Sequence, residues 1–324
     1  MIRPMKYLLC VLVCLSLAGA AYQSIAERAD RRALPGSFIQ VGDNTYYLLC
    51  KGDGERVLLF ESGRWGWHAD WTKVWPLLPA QYRACTYDRL GLGWSSKSHG
   101  PVHSGTTIDE LHKLLHIAGI DQKLIIVGHS LGGYYARKFA ARYPEQIAGL
   151  VLLDATHEEA PARMTYAPED FSQVELCSLI SWSGVLRISG TMEMLVPKGS
   201  SAEQQAQVLS VANRSQFCSG LLNAAQGIER ELRTAGKPEP LADIPLAVVR
   251  RGKKVEDYAG LAGEQRQLFE TNEPVWYAMQ RELASLSSRS RLLVAPHSGH
   301  NIQLESPGKV VEAIEWVDSR VTTY

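Results

Sequence analysis

The ten residues Leu-Ile-Ile-Val-Gly-His-Ser-Leu-Gly-Gly, at positions 124–133, influence the predicted fold more than any other stretch of this chain. Four consecutive apolar residues predict a buried strand, and a helix is expected to start near Leu131. Glycine at 128 and at 132 permits the sharp strand–turn–helix connection of a nucleophile elbow, which presents a serine hydroxyl at the sheet edge. An ordinary glycine-rich loop with an inert serine is the alternative. The context favours Ser130 as a nucleophile, with free helix N–H groups beside it for an oxyanion.

Apolar runs and helical runs alternate along most of the chain. Strands are predicted at residues 45–50, 57–61, 83–87, 124–128, 150–154, 245–249 and 291–295, and helices at residues 71–78, 107–118, 131–142 and 307–317. Short, continuously apolar strands that alternate with helices predict an α/β fold, in which helices cover both faces of a mostly parallel sheet. Residues 51–54, rich in glycine and aspartate, separate the first two strands and indicate a hairpin.

The alternation stops between residues 157 and 240. This segment has no strong strand pattern and is mostly polar, with methionine and aromatic residues scattered through it. We therefore expect a helical cap inserted into the sheet domain, whose two parts would be residues 37–156 and residues 241–324. Insertions of this kind commonly cover a binding site.

The charge balance and the motif inventory restrict the possible partners. The chain has 324 residues, with 34 lysines and arginines against 34 aspartates and glutamates. Nucleic-acid binding needs a clustered basic surplus, so no nucleic-acid partner is expected. No glycine-rich phosphate loop or dinucleotide fingerprint occurs, so no organic cofactor is expected.

His112 and His116 have the spacing of a zinc helix, but Lys113 stands where a metalloprotease has glutamate, and no metal is expected.

Residues 1–22 have the composition of an export or anchoring signal. Arg3 and Lys6 precede the apolar run YLLCVLVCLSLAGAAY. Its Ala-Gly-Ala segment offers the small residues of a cleavage site, whereas an extended run approaches the roughly 20 residues of a membrane-spanning helix. We therefore expect a signal peptide or a membrane anchor, then a linker over residues 23–36, and a protein located outside the cytoplasm.

A nucleophilic serine needs a base, and histidine is the usual one. His300 lies between the last predicted strand and the last predicted helix. In a parallel sheet the carboxyl ends of the strands share one edge, so His300 and Ser130 are expected to meet there. His297 is nearer to the strand end and is the alternative base.

Three motifs resemble those of the α/β-hydrolase superfamily. They are the elbow at 128–133, the segment Tyr-Asp-Arg-Leu-Gly-Leu-Gly-Trp-Ser at 87–95, and the Gly-His pair that ends at His300 and is followed by Glu-Ser-Pro. The resemblance covers about residues 38–158 and 241–320. It implies an eight-stranded, mostly parallel sheet with a variable helical cap.

The resemblance also assigns an oxyanion hole. The family's oxyanion loop, which usually begins with His-Gly, corresponds here to the segment 61–64, Glu-Ser-Gly-Arg, so that Ser62 replaces the histidine. By this resemblance the backbone N–H groups of Arg64 and Leu131 form the oxyanion hole.

The acid of the family's triad usually follows the strand after the cap. In this chain two lysines and a valine occupy that position, at 253–255, and Glu256 and Asp257 come slightly later. Some members of the family carry the acid at the end of the strand beside the nucleophile's strand, where this chain has Asp154. Asp154 is therefore the predicted acid, with Asp257 and Glu256 as alternatives; a turn cap is the other role open to Asp154.

Four cysteines lie outside the apolar N-terminal run: Cys50, Cys85, Cys177 and Cys218. An even number fits an oxidising compartment. The α/β-hydrolase fold implies that the strands carrying Cys50 and Cys85 are neighbours, which makes these two a candidate pair. Cys177 and Cys218 both fall in the predicted cap and are the second candidate pair; buried free thiols are the alternative.

The residues and the resemblance together predict a serine hydrolase. Ser130 would attack an ester or related acyl bond, His300 would transfer the proton, and Asp154 would orient the imidazole. A peptidase, a C–C bond hydrolase or a haloperoxidase could use the same triad, and a non-catalytic binding protein could keep the pocket. Epoxide and haloalkane hydrolases are excluded because they have aspartate at the elbow. The expected partner is a small-molecule acyl substrate, partly apolar to suit the cap.

Overall fold

Eight strands form one sheet in the computed structural model, which describes residues 2–196 and 199–321. The strands are β1 Ser37–Val41, β2 Asn44–Lys51, β3 Arg56–Glu61, β4 Tyr82–Tyr87, β5 Leu124–His129, β6 Ile147–Leu153, β7 Leu246–Arg251 and β8 Ser290–Ala295. Their order across the sheet is β1-β2-β4-β3-β5-β6-β7-β8, and β2 alone runs against the others. The predicted α/β fold with a mostly parallel sheet is confirmed.

Helices cover both faces of this sheet. The helices are α1 Ile2–Arg32, α2 Ser104–Ile117, α3 Leu131–Arg142, α4 Ala160–Arg163, α5 Ser172–Ile180, α6 Val185–Ile188, α7 Ala202–Ala212, α8 Phe217–Leu232, α9 Gly263–Ala284, α10 Ile302–Glu305 and α11 Pro307–Asp318. Of these, α2, α3, α9 and α11 pack on the strands of the sheet. Leu111 of α2 and Phe139 of α3 belong to the apolar core on one face, and Val310 and Ile314 of α11 belong to the core on the other. Burial on both faces, at about 25 cal/mol per Å² of apolar surface, holds the strand ends in fixed positions.

The first hairpin differs from the prediction. β1 and β2 form it, with Gly42 at φ 57° in the turn between them. The strand expected to pair with β2, which is β3, lies on the far side of β4. Residues 51–54 instead carry the chain past the start of β4, where a Cβ atom at Gly54 would overlap the backbone of Gln81. A Gly/Asp pattern marks a turn, but it does not specify which strands pair.

Two predicted segments differ in their helical content. α1 continues through most of the expected linker and ends at Arg32, because its second half packs on the protein and buries Gln23. The helix expected at 71–78 is replaced by two short 3₁₀ turns, His68–Trp71 and Trp75–Leu77. Within the described ranges, no helix combines the length and the apolar character needed to cross a membrane.

A helical insertion, α4 to α8, lies between β6 and β7, and we call it the cap. A disulfide between Cys177 and Cys218 links α5 to α8 within it. A second disulfide joins Cys50 and Cys85, which face each other in the β2–β4 register. Both predicted pairings are confirmed.

Candidate active site

Ser130 occupies the turn between β5 and α3. Its backbone has φ 52° and ψ −120°, a conformation that is strained for a residue with a side chain. The glycines on either side make the turn possible, because a Cβ atom at Gly128 would overlap the backbone at Gly132, and one at Gly132 would overlap that of Glu61. The Ser130 N–H donates to the Leu153 carbonyl at 2.9 Å, which ties the turn to β6. The strand, the tight turn and the helix predicted from the sequence are all present.

Three side chains that the sequence predicts to act together meet at the carboxyl edge of the sheet. His300 Nε2 lies 3.0 Å from Ser130 Oγ, and His300 Nδ1 lies 2.8 Å from Asp154 Oδ2. If Nδ1–H donates to the carboxylate, Nε2 is left to accept the serine hydroxyl proton. We call this chain of hydrogen bonds the relay. It has the geometry of a nucleophile, a base and a group that orients the base.

Asp154 is fully buried, and several donors surround its carboxylate. The Arg251 backbone N–H donates at 3.1 Å and its guanidinium at 2.8 Å, and the Trp276 indole N–H donates at 2.8 Å. Burial by itself raises the pKa of the Asp154 carboxyl, but the hydrogen bond from His300 and the charge of Arg251 outweigh it and hold this pKa well below the ordinary range. Asp154 is therefore ionised at neutral pH, with its charge compensated by the protein.

Sequence reasoning missed Arg251 and Trp276. They lie 97 and 122 residues from Asp154 along the chain. The two arginines at the end of β7 are a visible signal for a cation near this edge of the sheet, whereas no local pattern points to Trp276. The Arg251 guanidinium also lies 5.2 Å from the centre of the Trp276 ring, a cation–π arrangement that holds both donors in place.

The alternative acids and the alternative base lie elsewhere. Glu256 and Asp257 are exposed in a short 3₁₀ turn after β7, where Asp257 accepts a hydrogen bond from the Lys254 backbone N–H at 2.8 Å. His297 is exposed as well. None of these three side chains takes part in the relay.

The two predicted oxyanion donors border the same cavity as the serine. Arg64 and Leu131 both line it, and Leu131 is the first residue of α3, where backbone N–H groups have no acceptor within the helix. The Arg64 side chain forms a two-fold hydrogen-bonded ion pair with Glu169 of the cap, at 2.7 and 2.9 Å. The oxyanion loop is thus attached to the cap on one side of the cavity.

A buried charge pair holds the oxyanion loop from behind. The Arg89 guanidinium is paired with Glu61 and donates to the carbonyl oxygens of Ser62, at 2.7 Å, and of Gly63. Burial raises the pKa of the Glu61 carboxyl, and the charge of Arg89 opposes that shift. The position of Arg89 therefore sets the backbone orientation of the loop. Arg89 belongs to the motif at 87–95, but the sequence alone did not reveal this role.

His129 is a buried histidine directly beside the relay. Its Nε2 lies 2.9 Å from the His300 carbonyl oxygen and must therefore carry the proton. Its Nδ1 lies 3.3 Å from the side-chain amide nitrogen of Gln303. Burial lowers the pKa of His129 to about 3, with a smaller contribution from His300. His129 is therefore neutral at physiological pH, and both ring nitrogens are occupied.

A cavity of about 630 Å³ extends from Ser130 and His300 into the cap. Its apolar lining is contributed mainly by cap residues, which include Met164, Tyr166, Phe171, Ile228 and Leu232. This volume lies within the range of roughly 300–1,000 Å³ found for small-molecule sites.

One cluster outside the cavity has the composition of a metal site. Ligand atoms of His157, Glu159 and Glu282 lie within 4.8 Å of one another, the one such group found among the residues described. The Arg163 guanidinium already donates to both carboxylates. His157 Nδ1 accepts from the Glu159 N–H, so that Nε2 carries the proton. The cluster is therefore satisfied as an ion-pair network in which the Arg163 guanidinium takes the place of a metal ion.

Comparison with known proteins agrees with this fold. A family model described as the alpha/beta hydrolase fold matches residues 56–176. The chain is 30% identical over 311 residues to a "Probable transporter" of Hormonema carpetanum, covering 86% of this chain and 42% of that protein. Its structure is similar to that of a membrane phospholipase A described as a bacterial virulence factor, with a TM-score of 0.60, 19% identity and coverage of 98% and 99% of the two chains. It is also similar to a thermophilic esterase from Thermogutta terrifontis, with a TM-score of 0.59, 21% identity and coverage of 89% and 100%.

Residues 56–176 match the alpha/beta hydrolase family model, and the chain as a whole has the alpha/beta hydrolase fold. The matched family region contains the oxyanion loop and the turn with Ser130, and the solved structures share the fold over most of this chain. The chain spans about two fifths of the length of two of its curated relatives, 42% of the protein from Hormonema carpetanum and 38% of one from Schizosaccharomyces pombe.

Proposed function

We propose that this chain is a serine hydrolase that cleaves an ester or related acyl bond through an acyl-enzyme intermediate. The observation that carries the proposal is the relay, in which a strained serine, a histidine and a buried carboxylate stand in hydrogen-bond contact. In the first step Ser130 Oγ attacks the acyl carbon, and its proton passes to His300 Nε2. Asp154 holds the Nδ1–H and stabilises the imidazolium that forms.

The reaction then proceeds through two collapses of a tetrahedral intermediate. In the first, the bond from the acyl carbon to the leaving oxygen breaks, and His300 returns the proton to the departing alcohol. In the second, His300 takes a proton from water, the hydroxide attacks the acyl carbon, and Ser130 leaves as a free hydroxyl after regaining its proton. A carboxylic acid and an alcohol are the products, and the relay is restored.

The negative charge on the acyl oxygen needs donors that are already in position. The backbone N–H groups of Arg64 and Leu131 fill this role, supported by the position of Leu131 at the start of α3 and by the anchoring of the oxyanion loop on Arg89. Donors fixed before the reaction stabilise a developing oxyanion more than water does, because they need no reorganisation.

The cavity supports a substrate with an apolar acyl or alcohol group. Aromatic, methionine and leucine side chains of the cap line it, while the relay lies at its base. The ester and phospholipase activities stated for the two structural neighbours are of the same reaction class. The two disulfides and the apolar N-terminal run support a location outside the cytoplasm, where disulfides persist.

A fluorophosphonate probe tests this proposal without knowledge of the natural substrate. It should form a covalent phosphonyl adduct on Ser130, located by peptide mass spectrometry, and Ser130→Ala should carry none. A series of p-nitrophenyl esters with increasing acyl chain length should then show turnover that depends on chain length. An intact protein that neither takes up the probe nor hydrolyses any ester of the series would favour the non-catalytic binding protein.

A further inference from the structure

Several consecutive elements of the cap expose large apolar side chains. The exposed fractions lie between 46% and 80% for Leu176, Leu179, Trp182, Val185, Ile188 and Met194. We call these six residues the outer cap face. They lie on α5, on α6 and in the short turns between and after them, elements that pack against one another. None of the six lines the active-site cavity.

This face is almost free of charge. From Leu176 to Met194 the sequence contains two charged residues, Glu193, which is exposed, and Arg187. Its guanidinium pairs with Asp30 of α1 at 2.9 Å and donates to Gln23 of α1 at 3.2 Å. A soluble surface normally intersperses charges among its apolar residues, and an apolar patch of this kind marks an interaction site.

α1 leaves the protein next to this face. Gly19 packs against the Ser183 carbonyl, Gln23 is buried and Glu27 accepts from the Ser215 N–H at 2.6 Å, so that the second half of the helix is attached to the cap. The first half projects, and its described apolar side chains are exposed; these are Tyr7, Val11, Val13, Leu15 and Leu17. From residue 7 to residue 26 the sequence contains no charge. The projecting helix and the outer cap face therefore form one apolar surface.

We propose that the outer cap face is a lipid-contact surface that lies on a bilayer together with the exposed half of α1. Trp182 and Tyr22, both partly exposed, are of the residue types that prefer the boundary between lipid and water. Arg28, Arg31 and Arg32 follow the apolar half of α1 and are exposed, where they can pair with anionic headgroups.

Charge favours a bilayer over a second copy of the chain as the occupant. In a two-fold dimer whose axis passes near the end of α1, the three arginines of one copy would lie near those of the other, and like charges oppose association. Anionic headgroups instead compensate these arginines. This inference concerns where the protein lies and does not depend on the chemistry of the relay.

A fluorescent reporter in the face tests the contact directly. The full chain carries Cys10→Ala and Cys14→Ala, to remove thiols outside the disulfides, and one added cysteine labelled with a nitrobenzoxadiazole dye. Leu179→Cys and Ile188→Cys report on the face, and Ile117→Cys, on exposed α2 surface, is the control. The probe is a vesicle of phosphatidylcholine and phosphatidylglycerol, with and without spin-labelled lipid.

The expected result is a blue shift and quenching by spin-labelled lipid at positions 179 and 188, with neither at 117. Vesicle binding without quenching at 179 and 188 would mean that α1 alone makes the contact, and would overturn the proposal. A blue shift that depends on protein concentration in the absence of vesicles would identify a second copy as the occupant and would overturn it equally.

A binding measurement gives the same answer without labels. The double variant Leu179→Ser/Ile188→Ser should reduce vesicle partitioning at least tenfold, whereas the matched control Leu77→Ser/Ile117→Ser should change it less than twofold. Both double variants should hydrolyse a soluble ester at the wild-type rate, since none of the four residues lines the cavity. Equal partitioning of the two double variants would contradict the proposal.

Discussion

β6 and β7 end side by side, and each is followed by a turn that contains a carboxylate. After β6, Asp154 is fully buried, and its oxygens accept hydrogen bonds from an imidazole, an indole and a guanidinium. After β7, Asp257 is exposed and accepts from a backbone N–H of its own turn. The difference shows that a carboxylate becomes a partner for the base where buried donors converge on it, and not simply where the family's pattern usually has one.

The strand that usually precedes the acid has a changed role in this chain. β7 ends in Arg251, which donates to Asp154 from both its backbone and its side chain. In the proposed mechanism the acid therefore comes from β6, and the cation that compensates it comes from β7. Burial favours the protonated carboxyl, which could not accept from the imidazole N–H, and the charge of Arg251 is one of the contributions that oppose this shift.

The largest effect is expected at the turn after β5, because Ser130 is the proposed nucleophile whichever of the two turns supplies the acid. Ser130→Ala should reduce kcat by roughly 10⁶-fold, because the nucleophile is lost. His300→Ala should have a similar effect, and the double variant should be little worse than either single one, since the relay acts as a unit. Ester turnover in each variant measures this, with circular dichroism as the control for folding. Substantial hydrolysis by Ser130→Ala would remove serine from the mechanism.

The next largest effect is expected in the turn after β6, and it distinguishes this turn from the one after β7. Asp154→Asn should lower kcat by roughly 10³–10⁴-fold, because the amide favours the tautomer in which Nδ1 is not the donor. The fold should persist, since the amide oxygen can still accept from Arg251 and Trp276. Steady-state kinetics on the best ester measures the loss. Near-normal turnover by a folded Asp154→Asn protein would assign Asp154 to a structural role.

A buried titratable group without a countercharge should behave differently from Asp154. The pKa of His129 is about 3 in the folded protein, against 6.5 for the free side chain. As the pH falls below 6.5 the unfolded chain takes up a proton at this histidine and the folded protein does not, so stability is lost. Between pH 6.5 and pH 4.5 the wild type should lose about 2 kcal/mol more of its free energy of unfolding than His129→Gln does. Urea titrations at both pH values measure it; parallel losses in the two proteins would contradict the assignment.

The cation from β7 should have a smaller effect, visible in the pH profile. Arg251→Met removes a positive charge that lowers the pKa of the Asp154 carboxyl, so this carboxyl should lose its proton at a higher pH and the acid limb of kcat/KM should move to higher pH. Arg250→Met is the matched control. Arg250 is the adjacent arginine, and its guanidinium donates to the Arg251 carbonyl oxygen, whereas the Arg251 guanidinium donates to Asp154. An unchanged limb in Arg251→Met, or an equal shift in both variants, would show that Arg251 only fills space.

The smallest effects belong to the turn after β7. Asp257→Asn and Glu256→Gln should each change kcat less than twofold, since exposed carboxylates in a basic loop contribute only about 0–1 kcal/mol. The same kinetic assay measures both. A loss of a hundredfold or more in kcat in either variant would identify that residue, and not Asp154, as the acid.

Local sequence patterns predicted the turn with Ser130 better than they predicted the surroundings of Asp154. The turn with Ser130 could be predicted because its strand, its glycines and its helix are adjacent in the sequence, at residues 124–133. His300 and Asp154 could be predicted because parallel strands end at a common edge. Trp276 could not, because α9 brings it to Asp154 from 122 residues away and nothing local marks it. The same limit explains the wrong hairpin, since the choice of β4 as the partner of β2 depends on a strand more than thirty residues further along the chain.

The central claim is that Asp154, and not a carboxylate after β7, orients the base for Ser130. The rate at which a fluorophosphonate modifies Ser130 tests it most directly, because this reaction needs an activated serine and no natural substrate. The second-order rate constant should fall at least a hundredfold in Asp154→Asn and stay within twofold of the wild type in Asp257→Asn. The reverse pattern, with fast modification of Asp154→Asn and slow modification of Asp257→Asn, would contradict the account.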